Sequence, residues 1–207
     1  MGDQYDSFPI FPLPLVLLPT ELAPLHIFEE RYKRMINLCI EEGAEFGIVW
    51  LGDSGLADVG CTARITELID RMEDGRMNIV TRGTRPFRLL ERQEHLAFPA
   101  GEVEFLTDRR EEVDPAAAAE ARSAYAELVE RATDRRPDDD ELEAMGAYEM
   151  AATVEFGLEA KQGLLDLRSE NARLRLITRL FRAAAKRLDF VERAQDRARS
   201  NGKVRFG

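Results

Sequence analysis

The chain has 207 residues, 44% hydrophobic and 33% charged, with a formal net charge of -10; it is long enough to bury a real core, in one large domain or two small ones. That charge opposes binding to nucleic acid and to anionic membrane surfaces, and no apolar run is long enough to span a bilayer. The opening MGDQYDS lacks the basic segment and apolar core of a secretory signal. The two cysteines, Cys39 and Cys61, sit in no CxxC or metal-type spacing, so the expectation is a cytoplasmic protein with reduced, buried thiols and no metal or cofactor.

The stretch from Phe8 to Tyr32, FPIFPLPLVLLPTELAPLHIFEERY, organises the rest. Pro9, Pro12, Pro14, Pro19 and Pro24 remove N–H donors and fix φ. They cut a run of Leu, Ile, Val and Phe into short extended pieces joined by bends, too apolar to lie on a surface. Phe28, Tyr32, Met35, Ile36, Cys39 and Ile40 then recur at helical spacing, with Gly43 as the stop. Glu45 to Leu51 reads as a strand and 52–55 as a loop. Val59 to Ile69 reads as a long strand, with Gly60 marking a bulge or a close backbone approach. Asp74-Gly75 is a hairpin signal between that strand and a return strand, Arg76 to Arg82. Gly83 and Thr84 lead into a further strand from Arg85 to Leu90, and Ala100 to Leu106 is the last. Short strands, hairpins and one helix predict a small, partly closed barrel.

The character changes at Thr107. Asp108 to Asp114 is charged and aperiodic, and reads as a linker. Asp114-Pro115 starts a helix, with an Asp cap and a proline at the first position, and Ala118, Ala121, Tyr125, Leu128 and Ala132 form its packing seam. Asp134 to Asp140 breaks it. A second helix is expected from Glu141 to Phe156, with Leu142, Met145, Ala152 and Phe156 inward, and a short third from Glu159 to Leu167. Ser169 caps the last helix, whose stripe is Leu174, Ile177, Phe181, Ala184, Leu188 and Val191. This spacing predicts an antiparallel bundle.

Several of these stretches together resemble the Lon protease N-terminal (substrate-recognition) domain family. They are Phe8-Pro9, Pro12-Leu13 and Pro19, then Pro24-Leu25-His26-Ile27-Phe28-Glu29 with Arg31-Tyr32; Gly60 to Ile65; Asp74-Gly75-Arg76; Gly83 with Arg85 and Phe87-Arg88; and Lys161-Gln162 with Leu164-Leu165. Two positions depart from the family pattern: Thr20 stands where a glycine follows Pro19, and Glu30 where a proline opens the helix. Glu30 suits that place through the helix dipole, but Thr20 gives up the free φ of glycine.

The resemblance implies an α+β fold: an N-terminal PUA-like six-stranded pseudo-barrel with one helix over residues 8–107, and a C-terminal helical bundle over residues 115–198. It also implies a stand-alone member without the ATPase and peptidase modules, and so not an enzyme. No G-x-x-x-x-G-K-[ST] phosphate loop is present, and no G-x-S-x-G nucleophile turn. The implied function is recognition of polypeptides, with unfolded or misfolded proteins as partners and their exposed hydrophobic segments as the ligand; Leu17, Leu18, Trp50 and Phe87 are the candidate contacts. The alternative is an RNA- or nucleotide-binding PUA-like module, for which the basic stretch from Arg182 to Arg205 would be the tract.

Each candidate also has a bland reading. His26 is a base or metal ligand, or an imidazole that holds a bend by bonding nearby backbone; the second is favoured, because no cysteine or second histidine accompanies it. His95 falls in a polar turn. Trp50 lines a groove or plugs the barrel end. The basic tail binds RNA or merely complements the dipole of the last helix, and it lacks the ring platforms that bases stack on.

Overall fold

The computed structural model describes residues 4–93 and 97–201, with backbone only for residues 191–201. His95 and residues 202–207 lie outside that set, as do the side chains of Val191 and of the basic stretch beyond Phe190. The chain divides into two compact units: Met1–Glu111 with Ala151–Ser169, and Glu112–Met150 with Glu170–Gly207.

Among the described residues the first unit holds seven strands, β1 (Gln4–Leu13), β2 (Leu22–Ile27), β3 (Phe46–Gly52), β4 (Gly55–Leu56), β5 (Val59–Arg71), β6 (Met77–Gln93) and β7 (Ala100–Phe105), and the helix α1 (Glu30–Glu42). The strands run β1-β7-β6-β5-β3 by antiparallel pairing, and β1 then pairs with β3 in parallel, which closes the ring. β2 adds to the first half of β6, from Leu22 opposite Arg82 to Ile27 opposite Met77. β4 turns back on β3. Closure removes the sheet edges that an open sheet of these apolar strands would expose.

The sequence reading splits residues 76–90 into two strands at Gly83, but β6 runs unbroken through them. Its pairing with β5 slips between Cys61 and Ala63, opposite residues 83–86, so the glycine and proline are absorbed as a bulge inside one strand. Gly60 marks a close approach rather than a bulge. It pairs with Phe87, and a Cβ there would stand 2.5 Å from the Ile48 carbonyl oxygen and 2.7 Å from the Phe87 ring. Phe87, Phe8, Ile10, Val49, Val103 and Phe105 fill the barrel.

α1 begins at Glu30, with Tyr32, Met35, Ile36 and Cys39 buried. Phe28 precedes the helix instead of joining its stripe, and its side chain is 59% exposed. Burial pushes the Cys39 thiol up to about 11, and the fully enclosed Cys61 thiol higher still.

The segment between Leu18 and Glu21 shows what replaced the family's glycine. The Glu21 N–H donates to the Leu18 carbonyl at 3.2 Å, with Pro19 and Thr20 between. Thr20 has φ of 70°. This is a type II turn, with proline at its first central position and a left-handed residue at its second. The turn persists although threonine now carries the conformation that suits glycine. Its hydroxyl is buried without a partner. The turn lies directly on Gly83: the Thr20 N–H donates to the Gly83 carbonyl at 2.8 Å, and any Cβ on Gly83 would strike the Leu18 carbonyl oxygen.

The helix α5 (Leu158–Asp166) belongs to this unit, whereas the sequence reading puts it in the bundle. Each residue of its Lys-Gln-x-Leu-Leu motif explains why. Lys161 pairs with Glu21, whose other oxygen accepts the Leu18 N–H at 2.9 Å. Gln162 donates to the Val59 carbonyl at 3.0 Å. Leu164 and Leu165 are buried. The segment of residues 108–114 has no regular structure, and Arg109 N–H donates to the Arg168 carbonyl.

The second unit is built on α2 (Pro115–Thr133) and α6 (Glu170–Asn201), with the Tyr125 and Phe181 rings 5.4 Å apart between them. Asp114 caps α2 by accepting from the Ala116 and Ala117 N–H groups. The helix expected over 141–156 is two short ones, α3 (Asp139–Ala144) and α4 (Ala147–Ala151). Met145 is extended and Gly146 follows it; the Ala147 N–H donates to Glu170 at 2.7 Å instead of continuing the turn. Glu170 also holds the buried Arg173 guanidinium at 2.9 Å, and that guanidinium lies over the Tyr148 ring. The inward residues are Leu142, Ala147 and Met150, not Met145, Ala152 and Phe156.

Candidate functional site

α1 lies against β1, and a concavity opens at each of its ends. The one at the N-terminal end is about 530 Å³. Its floor is the end of β1 and the bend after it, Phe11 to Pro14. Phe11 is buried and stacks on Tyr32 at 4.0 Å between ring centres, so the floor is rigid aromatic surface. One wall is the β3–β4 hairpin, Leu51, Gly55 and Leu56; the other is His26 and Phe28 at the exit of β2. Phe28 and Leu51 stand 59% and 49% exposed. The rim is polar: Glu29 pairs with Arg31 at 2.9 Å, and the Arg31 guanidinium rests over the Tyr32 ring at 4.6 Å.

Proline chemistry builds this site. The expected cuts at Pro9 and Pro12 do not occur, because both lie within β1, opposite Ala100 and Val49; the strand ends at Leu13, and at Pro14 the chain bends away and leaves apolar side chains beside a gap. Glu29 is an extended residue ahead of α1, which turns Phe28 outward rather than onto the buried face.

None of the four candidate contacts lines this concavity. Leu17, Leu18 and Phe87 are fully buried: the leucines in the turn that packs on Gly83, Phe87 at the centre of the barrel. A side chain with no exposed surface cannot line an open groove, so these three are scaffold. Trp50 is half-buried in β3, opposite Leu13, with its ring against Gly52. His26 is exposed, and its bond differs from the expected backbone contact: Nδ1 lies 2.7 Å from Asn78 Oδ1, the residue opposite it on β6. Its ring also stacks on Phe28 at 5.9 Å, so it supports the wall of the concavity. Among the described residues no group of three His, Cys, Asp or Glu side chains could hold a metal ion. No described helix is long and apolar enough to cross a membrane. The sequence reading missed Phe28, Leu51 and the Leu13-Pro14 bend as one surface. No residue type marked it, since Phe28 stands at the spacing of the α1 stripe and Glu29, extended ahead of the helix, is not distinctive.

A closed barrel bearing one helix, followed by helices, defines a protein of the α+β class. The structure is similar to the Lon N-terminal domain protein from Xanthomonas campestris, with TM-score 0.65 and 27% identity over 83% of this chain and 96% of that one. It shares its fold with the N-terminal domain of the Mycobacterium avium complex Lon protease, with TM-score 0.65 and 19% identity over 85% of this chain and 98% of that one. The model of the ATP-dependent protease La (LON) substrate-binding domain matches residues 7–183. The chain belongs to that family, and it is a substrate-recognition module of the α+β fold described above.

Proposed function

We propose that this module, working in a reducing cytoplasm and carrying no catalytic function, binds exposed hydrophobic segments of unfolded or misfolded proteins in the concavity at the N-terminal end of α1. The observation that carries the reading is the pair Phe28 and Leu51, two large apolar side chains held half out of the barrel around a hollow of about 530 Å³. That volume suits one or two apolar side chains of a ligand. The rigid Phe11–Tyr32 stack offers contact area without an ordering cost, and the Glu29–Arg31 rim sets hydrogen-bonding groups where a client backbone would pass.

The test is a titration with a denatured polypeptide and, separately, with mixed RNA, each at low and physiological salt. Apolar contact stabilises by roughly 25 cal/mol per Å² and is nearly indifferent to salt, whereas phosphate contacts weaken by orders of magnitude as salt rises. The expected result is salt-tolerant polypeptide binding in the micromolar range or weaker, since a single module lacks avidity. Salt-sensitive RNA binding without polypeptide binding would replace this reading with the RNA- or nucleotide-binding alternative.

A further inference from the structure

The concavity at the other end of α1 differs in chemistry from the first. It is about 430 Å³, bounded by the start of β1, the end of β7 and the C-terminal turn of α1. Its apolar wall is aromatic. Tyr5 is 50% exposed and meets Phe105 edge-on at 5.0 Å, and Phe8 meets Phe105 at 5.6 Å. One cation already rests on this wall: the Arg85 guanidinium lies 3.5 Å from the centre of the Phe105 ring. On the helix side stand two carboxylates. Glu45 is engaged, by Arg64 at 2.8 Å and by the Thr84 hydroxyl. Glu42 is exposed and forms no ion pair among the described residues.

We propose that this second concavity receives an arginine side chain of the client polypeptide, seated on the Tyr5 ring with its charge facing Glu42. The inference rests on the polypeptide reading above. An aromatic face attracts a cation through its quadrupole, and a guanidinium also stacks on it. A free carboxylate at the lip supplies the opposite charge, and the net charge of -10 favours a basic ligand over an acidic one. α1 has 13 residues, so at about 1.5 Å per residue the two concavities stand roughly 20 Å apart. About six residues of extended chain at about 3.3 Å each span that distance. The preferred client segment therefore carries an arginine about six residues from an apolar residue.

The experiment uses the intact protein and two synthetic peptides with the same Leu-Phe core. One has arginine six residues away; the other has glutamine there. Binding is read by fluorescence anisotropy. The arginine peptide is expected to bind about tenfold more tightly, with the advantage abolished in Glu42→Gln and in Tyr5→Leu and the glutamine peptide unaffected. Equal binding of the two peptides overturns the arginine site and leaves the apolar reading standing. A separate arm titrates N-acetylarginine methylamide and follows the Tyr5 ring resonances. A shift that Glu42→Gln removes supports the site even where neither peptide binds, an outcome that would reject the apolar reading instead. No shift, with equal peptide binding or none, rejects the site.

Discussion

Replacing Thr20 with glycine is expected to stabilise the barrel unit. Threonine at φ of 70° is a β-branched side chain in the left-handed region, which costs on the order of 1–2 kcal/mol. Its buried, unpartnered hydroxyl adds roughly 1 kcal/mol or more. Glycine removes both terms and returns about 0.5–1 kcal/mol through the greater freedom of the unfolded chain. The net gain is about 1–2 kcal/mol. With a urea slope of about 2 kcal/mol per M, the midpoint rises by roughly 0.5–1 M. Trp50 is the only tryptophan and lies in β3, so its emission follows unfolding of this unit alone. Thr20→Ala separates the two causes: it removes the hydroxyl and keeps the strained Cβ, and should by itself gain about 1 kcal/mol. A midpoint for Thr20→Gly equal to or below that of the parent would refute the strain argument.

Lys161→Met leaves the Glu21 carboxylate, which is only 17% exposed, without its cation. The expected cost is about 2 kcal/mol, less than for a fully enclosed pair, with α5 amides losing hydrogen-exchange protection before those of β5; unchanged α5 protection would count against the clamp. Burial raises the Cys39 and Cys61 thiols in the folded state, so their contribution is complete below the ordinary thiol value of 9.0; that of Cys39 is lost as pH climbs toward about 11, and the loss from Cys61 continues above it. The urea midpoint should fall across that window, and more gently in the double variant Cys39→Val, Cys61→Ala; identical slopes would contradict this. We also propose that the barrel unit with α5 and the unit built on α2 and α6 behave as subdomains, rather than residues 8–107 and 115–198. Limited proteolysis should then cut first in 108–114 or 134–140, and first cuts between Val59 and Leu90 would show the boundaries to be misplaced.

Much of the fold was legible because its punctuation is chemical. Pro14 follows the end of β1, although Pro9 and Pro12 lie within the strand; Asp74-Gly75 turned the hairpin, and Asp114-Pro115 opened α2. The motif at Lys161 was visible as a pattern, but its meaning needed Glu21, 140 positions away. The parallel pairing of β1 with β3 leaves no local trace, because either strand is equally apolar in an open sheet. The same limit explains Leu17, Leu18 and Phe87. An apolar residue beside proline reads alike whether it lines a groove or fills a core, and only closure of the barrel decides. Phe28 was misassigned because its spacing fits the stripe of α1, while the extended Glu29 that ejects it has no distinctive residue type.

The measurement that bears most directly on the central claim compares polypeptide binding by the parent and by Phe28→Ser, Leu51→Ser. Both side chains are half exposed, so the melting temperature should stay within a degree or two of the parent. Each large apolar side chain contributes about 1.5–3 kcal/mol when fully covered, and partial cover of two should give a loss of affinity of roughly tenfold to a hundredfold. Unchanged affinity for denatured polypeptide in a folded double variant would contradict recognition at the N-terminal end of α1.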